Sequence, residues 1–312
     1  MSFEKALITG GNGNLGQLVA ARLESQGVKV ISFDLPGTEN AETNARHAVV
    51  LGDMRDHDLL RQVFGEYEPQ AIFHLASMLS GSSEADPVAA WDVNASASVA
   101  LMRLALEYQC GPFFFASTLA TYGPDLPSPL PEEAEQWPQN IYGATKVAVE
   151  RMGLYLKKKQ NLDFRCLRFP FVLSPYAPSA ALTAFASNAF KAAAKGEQFT
   201  FPVAPNTAMS TLFLDDVTRS IVEIAQADAK RLTRPAYNLH GYTVQTSDIV
   251  EKLRLRYQTF DCTYAPKEEL IDLIGRWPSA MVSESAANDW DWSVKFDFDK
   301  TAEAMFALFE TS

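Results

Sequence analysis

The run Lys5–Thr9 feeds directly into Thr9-Gly10-Gly11-Asn12-Gly13-Asn14-Leu15-Gly16, and then into a segment where Leu15, Val19 and Leu23 recur at helical spacing. No other stretch restricts the fold as tightly. Glycines at 10, 13 and 16, between a strand and a helix up to Gln26, meet three needs: a tight turn, close backbone approach to an anion, and close packing of helix on sheet. The amides at the helix start, Asn14 and Leu15 among them, stand in front of the positive end of the helix dipole and form an anion site. A turn of this kind belongs to a βαβ unit, and the residues that follow alternate accordingly.

Val28–Phe33 and Ala48–Leu51 read as strands, Asp56–Phe64 as a helix, Ala71–Leu75 as a strand and Val88–Tyr108 as one long helix. Phe113–Ala116 reads as a strand, Ile141–Lys159 as a second long helix and Asp163–Arg168 as a further strand. Strands alternating with helices predict right-handed crossovers and a parallel sheet covered on both faces. The expected class is α/β, a Rossmann-type doubly wound sheet over residues 1–170. Prolines at 170, 175, 178, 202 and 205 then break the rhythm. Short helices at Leu182–Ala194, Val217–Ala227, Ser247–Tyr257 and Lys267–Ile274 predict a smaller C-terminal substrate lobe over 171–312, with Thr211–Leu214 or Ala236–Leu239 free to return to the main sheet.

Composition narrows the partners. The 312 residues suffice for about two domain-sized units, and 27 Lys plus Arg against 38 Asp plus Glu leave a formal charge of −11. An acidic surface repels phosphate backbones and anionic lipid, so a small molecule is expected, with no nucleic acid and no membrane. Lys157-Lys158-Lys159 reads as a complement to a helix C-terminal dipole. Cys110, Cys166 and Cys262 lie far apart without a Cys-x-x-Cys pair, as in a reducing compartment. The start Met1-Ser2-Phe3-Glu4-Lys5 has no leader pattern, and the expectation is a cytoplasmic protein. His47, His57, His74 and His240 show no metal-ligand spacing, so no metal is expected.

Eighteen residues after Gly16, Asp34 ends the second strand. A carboxylate there accepts from both ribose hydroxyls of NAD and repels a 2′-phosphate, and Leu35-Pro36 supplies no Arg for NADP. Asp53, after the third strand, is placed for an adenine amino group; a turn Asp fits its residue type equally. Tyr142-Gly143-Ala144-Thr145-Lys146 opens the second long helix and stacks Tyr142 on Lys146 at i,i+4. An adjacent ammonium favours a phenolate, so Lys146 is expected to lower the pKa of Tyr142 for proton transfer.

Taken together, the glycine turn, Asp34, the hydroxyl residues in Ser117-Thr118-Leu119-Ala120-Thr121-Tyr122-Gly123 and the Tyr142/Lys146 pair resemble the extended short-chain dehydrogenase/reductase superfamily, the NAD-dependent epimerase/dehydratase type. The resemblance covers essentially the whole chain. It implies hydride transfer to NAD, with Tyr142 the base, Lys146 also holding the nicotinamide ribose, and Thr118 or Ser117 holding the substrate oxygen. It further implies that Leu75, Ala76 and Ser77 after His74 back the cofactor, that Asn94 steadies the site, and that Phe169, Pro170 and Val172 border the nicotinamide. By itself a histidine such as His74 is more commonly a satisfied core residue, and Asp215-Asp216 reads as the N-cap of the helix from Val217.

Within that superfamily, Met78-Leu79-Ser80-Gly81, Leu162 to Pro170, Arg276-Trp277-Pro278 and Asp289-Trp290-Asp291-Trp292 are similar to the short-chain type of L-threonine 3-dehydrogenase. That likeness implies a pocket of Ser80, Thr118, Tyr142, Thr183 and Trp277, and a homodimer through the two long helices. The chain departs from the group at Ser179 to Ala184, where one threonine remains and glycines are absent, and at Ser210-Thr211-Leu212-Phe213. Ala208-Met209-Ser210 lacks the Arg with which nucleotide-sugar members bind a diphosphate. The expected activity is NAD-dependent oxidation of a secondary alcohol on a small polar substrate, L-threonine (to 2-amino-3-oxobutanoate) or a related hydroxy compound. An NDP-sugar 4-epimerase or dehydratase is the alternative, and a non-catalytic NAD-sensing protein the third reading.

Overall fold

A computed structural model describes residues 3–38, 43–177, 183–274 and 277–310. Met1, Ser2 and Leu182, used in the sequence reading, lie outside them.

The chain begins β1 (Lys5–Thr9), α1 (Asn14–Ser25), β2 (Lys29–Asp34), β3 (His47–Leu51), α2 (His57–Tyr67) and β4 (Ala71–His74). Asp56 caps α2, accepting from the Leu59 amide at 3.0 Å. Next come α3 (Ser80–Ala85), α4 (Pro87–Trp91), a π-turn at Asp92–Ser96 and α5 (Ala97–Glu107). The single helix expected over Val88–Tyr108 is therefore two helices joined by a π-turn, which projects the buried Asn94 side chain from between them. Such turns recur at functional sites. Then follow β5 (Phe113–Thr118), a short 3₁₀ turn at Leu119–Thr121, α6 (Ile141–Gln160) and β6 (Phe164–Phe169). Asn161, in the left-handed conformation, ends α6 after its three lysines.

Beyond Pro170 lie β7 (Phe171–Leu173), α7 (Phe185–Ala194), β8 (Phe199–Phe201), β9 (Ala208–Phe213), α8 (Leu214–Gln226), β10 (Ala236–Asn238) and β11 (Tyr242–Gln245). The chain closes with α9 (Thr246–Arg256), β12 (Cys262–Tyr264), α10 (Glu268–Ile274), α11 (Glu284–Trp290) and α12 (Phe298–Glu310).

Seven parallel strands form the main sheet in the order β10-β6-β5-β4-β1-β2-β3. Of the two segments able to return to it, Ala236–Asn238 does so beside β6, while Ala208–Phe213 is the centre of a second sheet, β11-β9-β7. One face of the main sheet buries Ile8, Phe73, Phe114 and Leu167 against α1 and α8; the other buries Leu7, Ile72, Phe113 and Cys166 against α2, α5 and α6. A third apolar cluster, built on Phe185, Phe190, Phe201, Ile249 and Met305, is the core of the C-terminal lobe. The strand order reverses between β1 and β4, and in open α/β sheets the crevice at such a switch point is where ligands bind.

One local expectation is corrected. Helix α8 starts at Leu214 and has no side-chain cap, so Asp215-Asp216 does not cap a helix from Val217. Asp216 is fully buried and accepts from the amides of Lys295 and Phe296 and from Arg219, which ties the segment before α12 to α8. A carboxylate inside the first turn still favours the dipole, but its hydrogen bonds go to a distant strap and to the Arg219 side chain, not to the first-turn amides that a cap would meet.

Candidate active site

The glycine turn lies at the switch point. Gly10 has φ +71° and donates to the Phe33 carbonyl at 2.8 Å. A Cβ at Gly10 would meet the Ala76 amide nitrogen at 2.8 Å, which is why this turn and the Leu75-Ala76-Ser77 segment after β4 can lie back to back. At Gly16 a Cβ would overlap the Gly10 carbonyl oxygen, and at Gly11 the Ser32 side chain, a requirement the spacing of three did not expose. Gly13 and Asn14 are exposed at the start of α1, which has no side-chain cap, so the amide end faces outward as an anion site requires. Asn14 Nδ2 also reaches the Tyr176 carbonyl at 2.8 Å, linking the turn to the segment after β7.

Asp34 is held at the end of β2 by the amides of Asn12 (2.9 Å) and Leu35 (2.8 Å), which fixes its carboxylate beside the turn. Glycines that leave no room for a side chain, an outward amide end and an oriented carboxylate together fit a dinucleotide. Asp53 behaves as the turn reading allows: it accepts from the Arg55 amide at 2.8 Å and pairs with its guanidinium, which holds the Asp53 carboxyl below its ordinary value.

His74 is a buried, satisfied histidine. Ser98 Oγ donates to the Asn94 carbonyl at 2.6 Å, so it accepts from His74 Nε2 (2.7 Å), and Thr9 Oγ1 donates to Nδ1 (2.6 Å). Burial, with the charge of Lys146 second, pulls its pKa down to about 3. Asn94 in turn accepts from the Met78 amide (2.7 Å) and donates to the Met78 carbonyl (3.1 Å). It thereby fixes the turn that leads to the half-buried Ser80 at the start of α3.

Asn140 caps α6 through the Gly143 amide at 2.6 Å, and Glu84 of α3 accepts from the Ile141 amide at 2.9 Å. A Cβ at Gly143 would overlap the Ala120 carbonyl, so glycine lets the helix seat against the end of β5. Tyr142 and Lys146 share a helix face there. Lys146 is 3 % exposed and donates to the Ala116 carbonyl at 2.9 Å, with its ammonium 4.7 Å from the Phe115 ring centre and 5.4 Å from that of Tyr142. Burial pushes the Tyr142 phenol up to about 12, and burial pulls Lys146 down to about 8 against the influence of Cys166 and Glu150. The expected lowering of the Tyr142 pKa by Lys146 is therefore absent: the ammonium meets the ring and a carbonyl, and desolvation of the phenolate prevails.

The two candidate hydroxyls separate cleanly. Neighbours on a strand point to opposite faces, and Ser117 donates to the buried Glu150 carboxylate. Thr118 is half-buried at the strand end, with Oγ1 accepting from the Ala120 amide at 3.1 Å and its proton free to donate. Phe169 lies opposite Thr118 in register; Phe169 and Pro170 are buried and Val172 half-buried. Trp277 packs edge-on against Phe171 with ring centres 5.7 Å apart. Thr183 is half-buried two residues ahead of α7. Ser179 to Leu182 and Arg276 lie outside the described residues.

Sequence reading missed Glu150 and Arg168, which form a buried ion pair with Nη2–Oε2 at 2.7 Å. The signal was present as Tyr142, Lys146 and Glu150 at successive steps of four. Among the described residues no three His, Cys, Asp or Glu side chains gather as a metal site, and no helix is long and apolar enough to cross a membrane.

This fold and site define a class. Residues 6–294 match the NAD dependent epimerase/dehydratase family, and the chain belongs to it. It is an NAD-dependent oxidoreductase of Rossmann type. The chain is 29% identical over 310 residues to the mitochondrial L-threonine 3-dehydrogenase of Sus scrofa, covering 96% of this chain and 81% of the relative. A monomeric L-threonine 3-dehydrogenase from a metagenome superposes with TM-score 0.91 at 29% identity, over 98% of this chain and 99% of that one. A UDP-glucose 4-epimerase from Thermotoga maritima, at 20% identity and TM-score 0.87 over 98% and 99%, shares the fold.

Proposed function

We propose that this dehydrogenase oxidises the secondary alcohol of L-threonine, or of a closely related small hydroxy compound, to the ketone. The observation that carries the reading is that Gly143 and the Lys146–Ala116 hydrogen bond seat the start of α6 against the end of β5, where Thr118 stands, in a sheet whose switch point carries the glycine turn and Asp34. Bound NAD supplies the hydride acceptor and a positive charge. The chain's residues do the rest. Thr118 donates to the substrate oxygen, Tyr142 takes its proton, and Lys146 keeps positive charge beside the phenol. With the phenol near 12 in the protein alone, proton transfer depends on that positive charge being present.

Gly10, Gly13, Asn14, Leu15 and Gly16 would receive the pyrophosphate and Asp34 the adenosine ribose. Leu75, Ala76 and Ser77 would back the cofactor, with Phe169, Pro170 and Val172 beside the nicotinamide. Ser80, Thr183 and Trp277 would complete the substrate pocket. Among the described residues these groups bring hydroxyls and an aromatic ring, with Lys146 the cation beside them, which favours a small polar substrate over a diphosphate. For that reason NDP-sugar 4-epimerisation or dehydration is the second reading. A homodimer through α4, α5 and α6 is part of the proposal: Val88, Trp91, Leu154 and Tyr155 are exposed on them. The metagenomic relative is described as monomeric, so light scattering decides.

NADH formation with a panel of L-threonine, other β-hydroxy amino acids and hydroxy acids tests the activity, with UDP-glucose conversion run beside it. Turnover of L-threonine or a near analogue supports the proposal. Turnover of the nucleotide sugar alone would replace it with the second reading.

A further inference from the structure

Lys146 is a buried cation without an ion pair among the described residues; its hydrogen bond goes to a backbone carbonyl. A buried charge in that position costs heavily unless an opposite charge is near. The titratable and charged groups around it are Tyr142 and Glu150 on α6, Cys166 and Arg168 on β6, and His74 on β4. From β5 it meets the Phe115 ring and the Ala116 carbonyl, which do not titrate. Burial keeps the Tyr142 phenol, the Cys166 thiol and the His74 imidazole neutral near pH 7. Glu150, one helical turn beyond Lys146 on the same face, is left as the anion of the group.

Glu150 is itself held by an unusual number of donors. It accepts from Ser117 Oγ, from Gln136 Nε2 at 3.0 Å and from Arg168 Nε (3.1 Å) and Nη2 (2.7 Å). Arg168 Nη1 extends away to Tyr122 Oη at 2.7 Å, and Tyr122 donates to Asn238 Oδ1 at 2.7 Å. The guanidinium is thus anchored toward β10, and the carboxylate stays on the helix that carries Lys146.

We propose that Glu150 is a positioning residue that acts through Lys146: its carboxylate, locked in place by Ser117, Gln136 and Arg168, is the counterion that keeps Lys146 charged beside Tyr142. This inference rests on the proposed role of the Tyr142/Lys146 pair for its meaning in catalysis, but its test does not depend on turnover. In the full-length protein carrying isotopically labelled lysine, with and without NAD, NMR follows the titration of the signal that Lys146→Arg abolishes. Glu150→Gln, which keeps the shape and loses the charge, is expected to lower the Lys146 midpoint by about one pH unit. A purely structural Glu150 would lower the melting temperature and leave the midpoint where it is. Should Glu150→Gln fail to fold, Glu150→Gln/Arg168→Met is compared with Arg168→Met, a pair that differs in the Glu150 charge alone, and the midpoint is expected to shift in the same direction. A midpoint within about 0.2 units of the unaltered protein, one pH unit being worth about 1.4 kcal/mol, overturns the proposal. Failure to oxidise threonine would leave this result standing and overturn only the reading of the substrate.

Discussion

Ser117 and Thr118 are chain neighbours that serve opposite sides of β5: Ser117 donates inward to Glu150, while Thr118 stands at the strand end with a proton to donate. The choice between them, open in the sequence, becomes a difference in phenotype. Thr118→Ala should lower kcat about 100-fold, the lower end of what a positioned proton-transfer partner contributes, with a melting temperature near that of the unaltered protein. Ser117→Ala leaves a lone pair of a buried carboxylate unmet and should cost about 1–3 kcal/mol of stability with a smaller effect on kcat. Steady-state kinetics and urea melts on the two variants separate the roles; equal kinetic losses would contradict the assignment.

Tyr142→Phe removes the phenolic oxygen and leaves the ring that packs near Lys146. The rate should fall by about 100- to 10,000-fold, and NAD affinity measured by calorimetry should change little. Retention of the rate would remove Tyr142 from the chemistry.

At Gly16 a methyl group would meet the backbone of Gly10 and Gly11, atoms that cannot swing aside as a side chain does. Gly16→Ala should therefore cost about 1–3 kcal/mol, as overpacking does, and weaken NAD binding in the same variant. A stable protein with normal NAD affinity would show that the turn is looser than its geometry.

Asp34→Ala tests nucleotide choice. Its carboxylate is oriented by two backbone amides, and no arginine follows it in Leu35-Pro36. The variant should bind NADH more weakly and lose its discrimination against NADPH, read by nucleotide fluorescence titration. An unchanged preference would move the recognition of the ribose elsewhere.

His74 gives a pH dependence of defined sign. Its folded pKa of about 3 lies below the ordinary value of 6.5, so between these values the unfolded chain binds the extra proton. Its contribution is fully present above about pH 6.5 and is lost as the pH falls toward 3, at up to about 1.4 kcal/mol per pH unit. Denaturant melts of His74→Gln should show a shallower loss over that window than the unaltered protein; parallel curves would contradict it.

The dinucleotide half was legible because its constraints are local. Gly10, Gly13, Gly16 and Asp34 are separated by short stretches of chain and each answers a backbone requirement. Tyr142 and Lys146 were legible for the same reason, as an i,i+4 pair. What escaped depends on contacts between distant segments. Asn94 was named from the resemblance, but the π-turn that projects it is concealed by an uninterrupted helical pattern, and Glu150 meets Arg168 only because α6 packs across β5 and β6. Asp216 read as a cap from its position next to Val217, yet the amides it accepts from are those of Lys295 and Phe296, about 80 residues on. The upward shift at the Tyr142 phenol was not legible because spacing gives the neighbour and not the desolvation around the ring.

The central claim is hydride transfer from the carbinol carbon of a small amino alcohol to NAD at the Tyr142/Lys146/Thr118 site. L-Threonine carrying deuterium at Cβ tests it most directly, with the reduced nucleotide analysed by mass spectrometry. The account predicts NADH that carries the deuterium, formed more slowly than from unlabelled threonine, and formation from either substrate slowed about 100- to 10,000-fold in Tyr142→Phe. Absence of deuterium from the nucleotide, with NAD bound and threonine saturating, would contradict it.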